Sequence, residues 1–181
     1  MIYKKTWKYI LTRDDTDYCM KKGYYRLKAI KNFSNVSKGD LGGFIQHYHN
    51  LSQKGNCWVY IGANVLMNAR ISGNAVIYEN SYISGNARVY GDAQIYGYAG
   101  VHGFAQIYEN ARISGNAMVY GNAKVFGNAH VSENAHVTGN AEVFGYAVIR
   151  DNAIIKEEAK VSGNVTVRKD MILRGKTCLS E

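Results

Sequence analysis

The chain has 181 residues, 46% of them hydrophobic, a formal net charge of +8 and no proline. That apolar content excludes a disordered chain, and the lack of any eighteen-residue apolar run excludes a membrane-spanning helix. Cys19, Cys57 and Cys178 lie far apart with no C-x-x-C pair, which is neither a disulfide framework nor a zinc site; with MIYKKTWKYI too polar for a secretory leader, a cytoplasmic location is expected.

Charge is concentrated at one end. Residues 1–56 carry 11 Lys/Arg against 4 Asp/Glu, residues 57–150 carry 5 against 5, and residues 151–181 carry 6 against 5. A partner drawn by charge is therefore drawn to the N-terminal segment. Within it, WKYILT (7–12) and YYRLKAIKNF (24–33) read as strands. In the second, Tyr25, Leu27 and Ala29 share one face while Arg26 and Lys28 share the other. RDDTDYCMKKG between them is polar and ends in a turn. KGDLGGF is glycine-rich but has neither G-x-x-x-x-G-K-[ST] nor G-x-G-x-x-G spacing, so it reads as a tight turn and not as a phosphate loop. Residues 1–56 are expected to form a small basic β cap. Its candidate contacts for a nucleic acid or another polyanion are Lys21, Lys22, Arg26, Lys28 and Lys31. His47 and His49 form an H-x-H with no further ligands, and no metal site is expected.

From Val59 the chain changes character. Every sixth residue as far as Leu173 is aliphatic, twenty in a row without an insertion, and nineteen of them are β-branched. Taking that residue as position one, position five is Ala in most copies, position four is Asn in twelve of twenty, and position three is most often Gly. A short strand through positions six, one and two points its central β-branched residue inward. Gly-Asn turns a corner, since both residues tolerate left-handed backbone angles. The small Ala after the corner fits inside. Three such sides close an 18-residue triangular rung, and rungs stack about 4.8 Å apart through parallel hydrogen bonds. The expected fold is all-β: a single-stranded parallel β-helix over 57–175 with roughly six coils, followed by a tail at 176–181. Stacked strands paired on both edges also account for the missing proline.

These hexads resemble those of the hexapeptide-repeat superfamily, specifically at positions one and five. They depart at position two, where that family carries small or acidic residues and this chain carries mostly Tyr, Ser or Phe. The resemblance implies a left-handed coil, common trimer formation and, in the enzymes of the superfamily, acyl transfer from acyl-CoA with a His as general base at a subunit boundary. KGDLGGFI, LSQ-x-GNCWVY and the GNA hexads together resemble a set of bacterial and phage proteins grouped as acyltransferase-like. For a phage protein the setting would be the host cytoplasm and the partner a host macromolecule.

If the repeat specifies only shape, function lies in what varies between copies. Residues 18 apart stack on one side. One side carries the column Tyr90, Tyr108, Phe126 and Phe144 beside Arg70, Arg88, Gln106, Lys124, Glu142 and Lys160. This aromatic and basic face has three readings: rings that stabilise neighbouring strands, a surface buried in a homodimer or homotrimer, or a stacking platform for single-stranded nucleic acid. Neutrality of the repeats argues against the last. Of the repeat histidines, His102, His130 and His136, none has an acidic residue 18 away to orient it. His102, beside Gly100 and between Ser84 and Tyr120, is the candidate base if the protein is an acyltransferase, with acyl-CoA as cosubstrate. The leading expectation is a non-catalytic binding scaffold without a cofactor, self-associating or bound to another protein, away from membranes.

Overall fold

The computed structural model describes residues 7–13 and 23–181. It is a parallel β-solenoid with three faces, closed at one end by an antiparallel ribbon. The ribbon is β1 (Tyr9–Thr12), β2 (Tyr25–Ala29) and β3 (Leu41–Ile45). After it come two-residue strands at six-residue intervals, from Trp58–Val59 to Cys178–Leu179. Strands three apart in the series pair in register, as Met118 with His136 and Val119 with Val137.

The hexad pattern produces this geometry directly. From Val59 to Val167 every position-one aliphatic is buried, and so is each position-five Ala from Ala63 to Ala159. Each buried Val or Ile contributes about 1.5–3 kcal/mol. From Met67 onward, position three takes the left-handed conformation at each corner, with φ of 71° at Gly121 and 58° at Glu133. Glycine accepts that angle freely, whereas a side chain there costs roughly 1–2 kcal/mol. The acidic exceptions offset this cost through their carboxylates, which accept a backbone N–H from the next coil. Glu79 receives Gly97 at 2.6 Å, Glu109 receives Gly127 at 2.8 Å, Glu133 receives Asp151 at 3.0 Å, Asp151 receives Lys169 at 2.7 Å and Glu157 receives Gly175 at 2.7 Å. One residue beyond, at position four, asparagine amides bond along the stack, as in Asn116 to Asn134 to Asn152 to Asp170.

Two features differ from the sequence expectation. The coil is longer than six rungs: two faces have seven paired strands, and the third has eight parallel strands counting β3. Pairing reaches into both flanking segments. Phe44–Ile45 pairs in parallel with Asn64–Val65, and Cys178–Leu179 with Lys160–Val161. Neither flank has the Asn-Ala signature, so the hexad count missed both. The second difference is that LGGFI is a strand, not a turn. Its glycines admit the first coil. A methyl on Gly42 would sit 2.6 Å from the Val59 carbonyl oxygen, and one on Gly43 would collide with the carbonyl oxygens of Ala63 and Tyr60.

The ribbon plugs the first coil with aromatic and polar side chains. Trp58 is buried edge-on against Phe33 and Tyr9, at 5.5 and 6.1 Å. Lys8 is also buried; its ammonium donates to the Cys57 carbonyl at 2.7 Å and the Gly55 carbonyl at 3.1 Å and touches the Cys57 sulfur at 3.3 Å. Burial lowers the Lys8 pKa, with the Cys57 sulfur pulling the other way, and burial raises that of the thiol. Buried Asn50 takes the backbone N–H groups of Gln46 and His47 and donates to the carbonyls of Met67 and Ala69. These contacts satisfy backbone groups that the end of a stack would otherwise leave unpaired.

Candidate functional site

Because the coil fixes every side chain at a known height and face, the candidate residues can be placed one by one. Tyr90, Tyr108, Phe126 and Phe144 form a continuous ladder: consecutive centroids are 5.0, 4.8 and 4.9 Å apart and the planes lie within 4° of parallel. All four rings are half-buried. Each inner ring has both faces covered by its neighbours, so only edges point outward. A nucleobase has no free face to stack on along the run. Beside the ladder, Lys124 and Lys160 both reach Glu142, at 3.2 and 2.9 Å, and hold its carboxyl below the usual range. Arg70 and Arg88 stack in adjacent coils and are both exposed.

The basic residues of the cap divide. Lys21 and Lys22 lie outside the described residues. Arg26 donates to the Gly42 carbonyl at 3.1 Å and lies over the Phe44 ring at 4.2 Å. Lys28 is exposed on β2, and Lys31 lines a recess of about 490 Å³ with Lys8, Phe33, Gln53 and Lys54. His47 and His49 stack on each other at 5.0 Å, and a His49 nitrogen lies 3.1 Å from the Met67 carbonyl.

His102 lies on the face that begins with β3. Its Nδ1 is 2.9 Å from the Ser84 hydroxyl, one coil away. Its Nε2 lies over Gly100: a methyl there would be 2.6 Å from Nε2 and 2.6 Å from the Met118 sulfur. Burial lowers the His102 pKa, which favours the neutral ring. His130 makes a similar pair with the Ser114 hydroxyl at 2.9 Å, with burial first and Arg112 second lowering its pKa. Neither pair has a carboxylate to orient the imidazole. The acidic side chains from Glu79 to Glu157 are committed elsewhere, to corner N–H groups, to the Asn74–Asp92 bond, or to Lys124 and Lys160.

Around His102 the structure adds Tyr82, Met118, Tyr98 and Phe104 to the Gly100, Ser84 and Tyr120 that the sequence places beside it. Tyr82, Gly100 and Met118 form one column in register, and Ser84, His102 and Tyr120 the next. Tyr98 and Phe104 stand at the two corners of the same coil. Of these, Tyr98 is 68% exposed, Phe104 62%, and Tyr82 and Tyr120 37% each. The rim is aromatic, and its floor is Gly100, the one glycine among the two-residue strands. The signal in the sequence is the replacement of corner Asn by Tyr98 and Phe104 in one coil, together with glycine at position six.

Fold and surface together define a parallel β-solenoid repeat protein with a capped end and aromatic side chains on its outer faces. A family model described as the YdcK beta solenoid repeat matches residues 69–85, 81–97, 105–119 and 111–125. No match is found among curated proteins.

Proposed function

We propose that the protein is a non-catalytic binding scaffold, a rigid rod that docks on a second copy of itself through the face around Gly100 and His102. The observation that carries this reading is the cluster of exposed Tyr82, Tyr98, Phe104 and Tyr120 on neighbouring coils. Contiguous exposed apolar surface marks interaction sites, and aromatic side chains dominate their binding energy. Tyr98 and Phe104 occupy corners where asparagine would extend a hydrogen-bonded ladder, so the fold gains nothing from them. Residues 57–150, which carry this face, have 5 Lys/Arg against 5 Asp/Glu and add no net repulsion between two copies. The test is light scattering on a sizing column. A dimer or trimer that falls apart in the Tyr98→Asn/Phe104→Asn variant supports the reading; a wild-type monomer at micromolar concentration overturns it.

A second reading, acyl transfer from acyl-CoA, is favoured by the 2.9 Å contact between Ser84 and His102. A neutral imidazole beside a hydroxyl is the start of a general-base arrangement. Calorimetry with acetyl-CoA separates the two: binding lost in His102→Ala supports the enzyme, and no heat of binding supports the scaffold.

A further inference from the structure

The aromatic ladder stops one step short of the cap end. Register places Ser72 over Tyr90, because Arg70 lies over Arg88 and Ile71 over Val89. The Tyr90 face turned toward Ser72 therefore has no ring on it, and a hydroxymethyl stands where a fifth ring would lie. A recess of about 280 Å³ opens there, lined by Arg70, Ser72, Arg88, Tyr90 and Gln106. That volume is close to the small end of ligand sites, which start at about 300 Å³.

Charge is unbalanced at the same place. Like charges directly opposite on paired strands are destabilising. Lower in this column Lys124 and Lys160 share the carboxylate of Glu142 between them. Arg70 and Arg88 have no carboxylate partner among the described residues. The other ladder ends lack this combination. At the far end Phe144 faces Ser162, where Lys160 is already tied to Glu142. Tyr78 and Tyr96 stack at 5.0 Å on another face, but Ser114, next in that column, is engaged by His130 at 2.9 Å. The second arginine stack, Arg150 and Arg168, lies beside the carboxylate of Asp151, and Ser114 and Ser132 separate it from Tyr96, the nearest ring of its column.

We infer that the recess binds one planar aromatic ring bearing a phosphate, the nucleoside monophosphate class, with the ring on the open face of Tyr90 and the phosphate between Arg70 and Arg88. Two arginines on coils stacked about 4.8 Å apart can bracket a tetrahedral oxyanion with several charge-assisted hydrogen bonds. Arg88 and Tyr90 are two residues apart on one outer face, about 6–7 Å along the strand, which is the span a ribose bridges between base and 5′-phosphate. The Ser72 hydroxyl and the Gln106 amide supply polar contacts at the rim. The site takes a single ring, because the protein's own side chains fill the rest of the ladder. This inference is independent of the docking face, which lies on another side of the rod.

The experiment is isothermal titration of the full chain with adenosine 5′-monophosphate, adenosine and inorganic phosphate. The nucleotide should bind at least about tenfold more tightly than either part alone, as stacking and charge-assisted contacts act together. Arg70→Gln and Arg88→Gln should each weaken the nucleotide about tenfold and leave adenosine unchanged. Ser72→Phe is the decisive variant: it completes the ladder with the protein's own ring, so binding should be lost while the melting temperature holds or rises. A short single-stranded oligonucleotide should bind no more tightly than the mononucleotide. Retained binding in Ser72→Phe, phosphate binding as tightly as the nucleotide, affinity rising with oligonucleotide length, or no binding by the wild type would each overturn the inference. Oligomeric state read on the same samples keeps the outcome separate from that of the docking face.

Discussion

Two neighbouring residues show how differently this chain treats inside and outside. Val119 is fully buried and Tyr120 is 37% exposed. Val119→Asp places an unpaired charge in the core and should cost more than about 4 kcal/mol, enough to unfold the coil. Tyr120→Asp should cost about 1 kcal/mol or less. Urea denaturation followed by circular dichroism reads both. The histidines set a pH dependence. Burial holds His102 and His130 below their ordinary value of 6.5. The unfolded chain therefore takes up protons that the fold refuses, and stability is fully present above about 6.5 and falls as pH drops below it. Replacing both histidines with glutamine should flatten that slope in urea midpoints measured from about pH 7.5 to 5.5. At this scale the inward residues were legible in the sequence, because a period of six names each one. His102 was legible as a candidate through Gly100. Tyr98 and Phe104 were not, because reading down single columns separates residues that share one coil.

The ladder of rings and the cap joint are where elements depend on particular side chains. Phe126 stacks on Tyr108 above and Phe144 below. Phe126→Ala removes both contacts and should destabilise by about 1–3 kcal/mol beyond its area term, read as a lower melting temperature. Gly43→Ala should cost more, because the added methyl meets backbone oxygens on two sides and neither can move without breaking the first coil. The ladder itself was legible: residues 18 apart had to stack once the rung length was known. What could not be read was that the rings lie flat on one another and so hide their faces. Likewise LGGFI gave no hexad signal for its strand, since parallel pairing with Asn64–Val65 is a long-range choice made by the backbone.

Across the whole molecule, the repeat supplies a rod and the departures from the repeat supply its surfaces. The corners show this most directly. Asparagine ladders run along them wherever nothing interrupts, and Tyr98 breaks the run between Asn80 and Asn116 while Phe104 breaks the one between Asn86 and Asn122. Returning those positions to asparagine restores the repeat and removes the most exposed rings of the proposed docking face. The measurement that tests this account most directly is light scattering on a sizing column for wild type and Tyr98→Asn/Phe104→Asn, with a thermal melt of each. The account predicts a wild-type dimer or trimer and a monomeric variant that melts at the same temperature as the dissociated wild type or higher. An assembly unchanged by the two substitutions would contradict it.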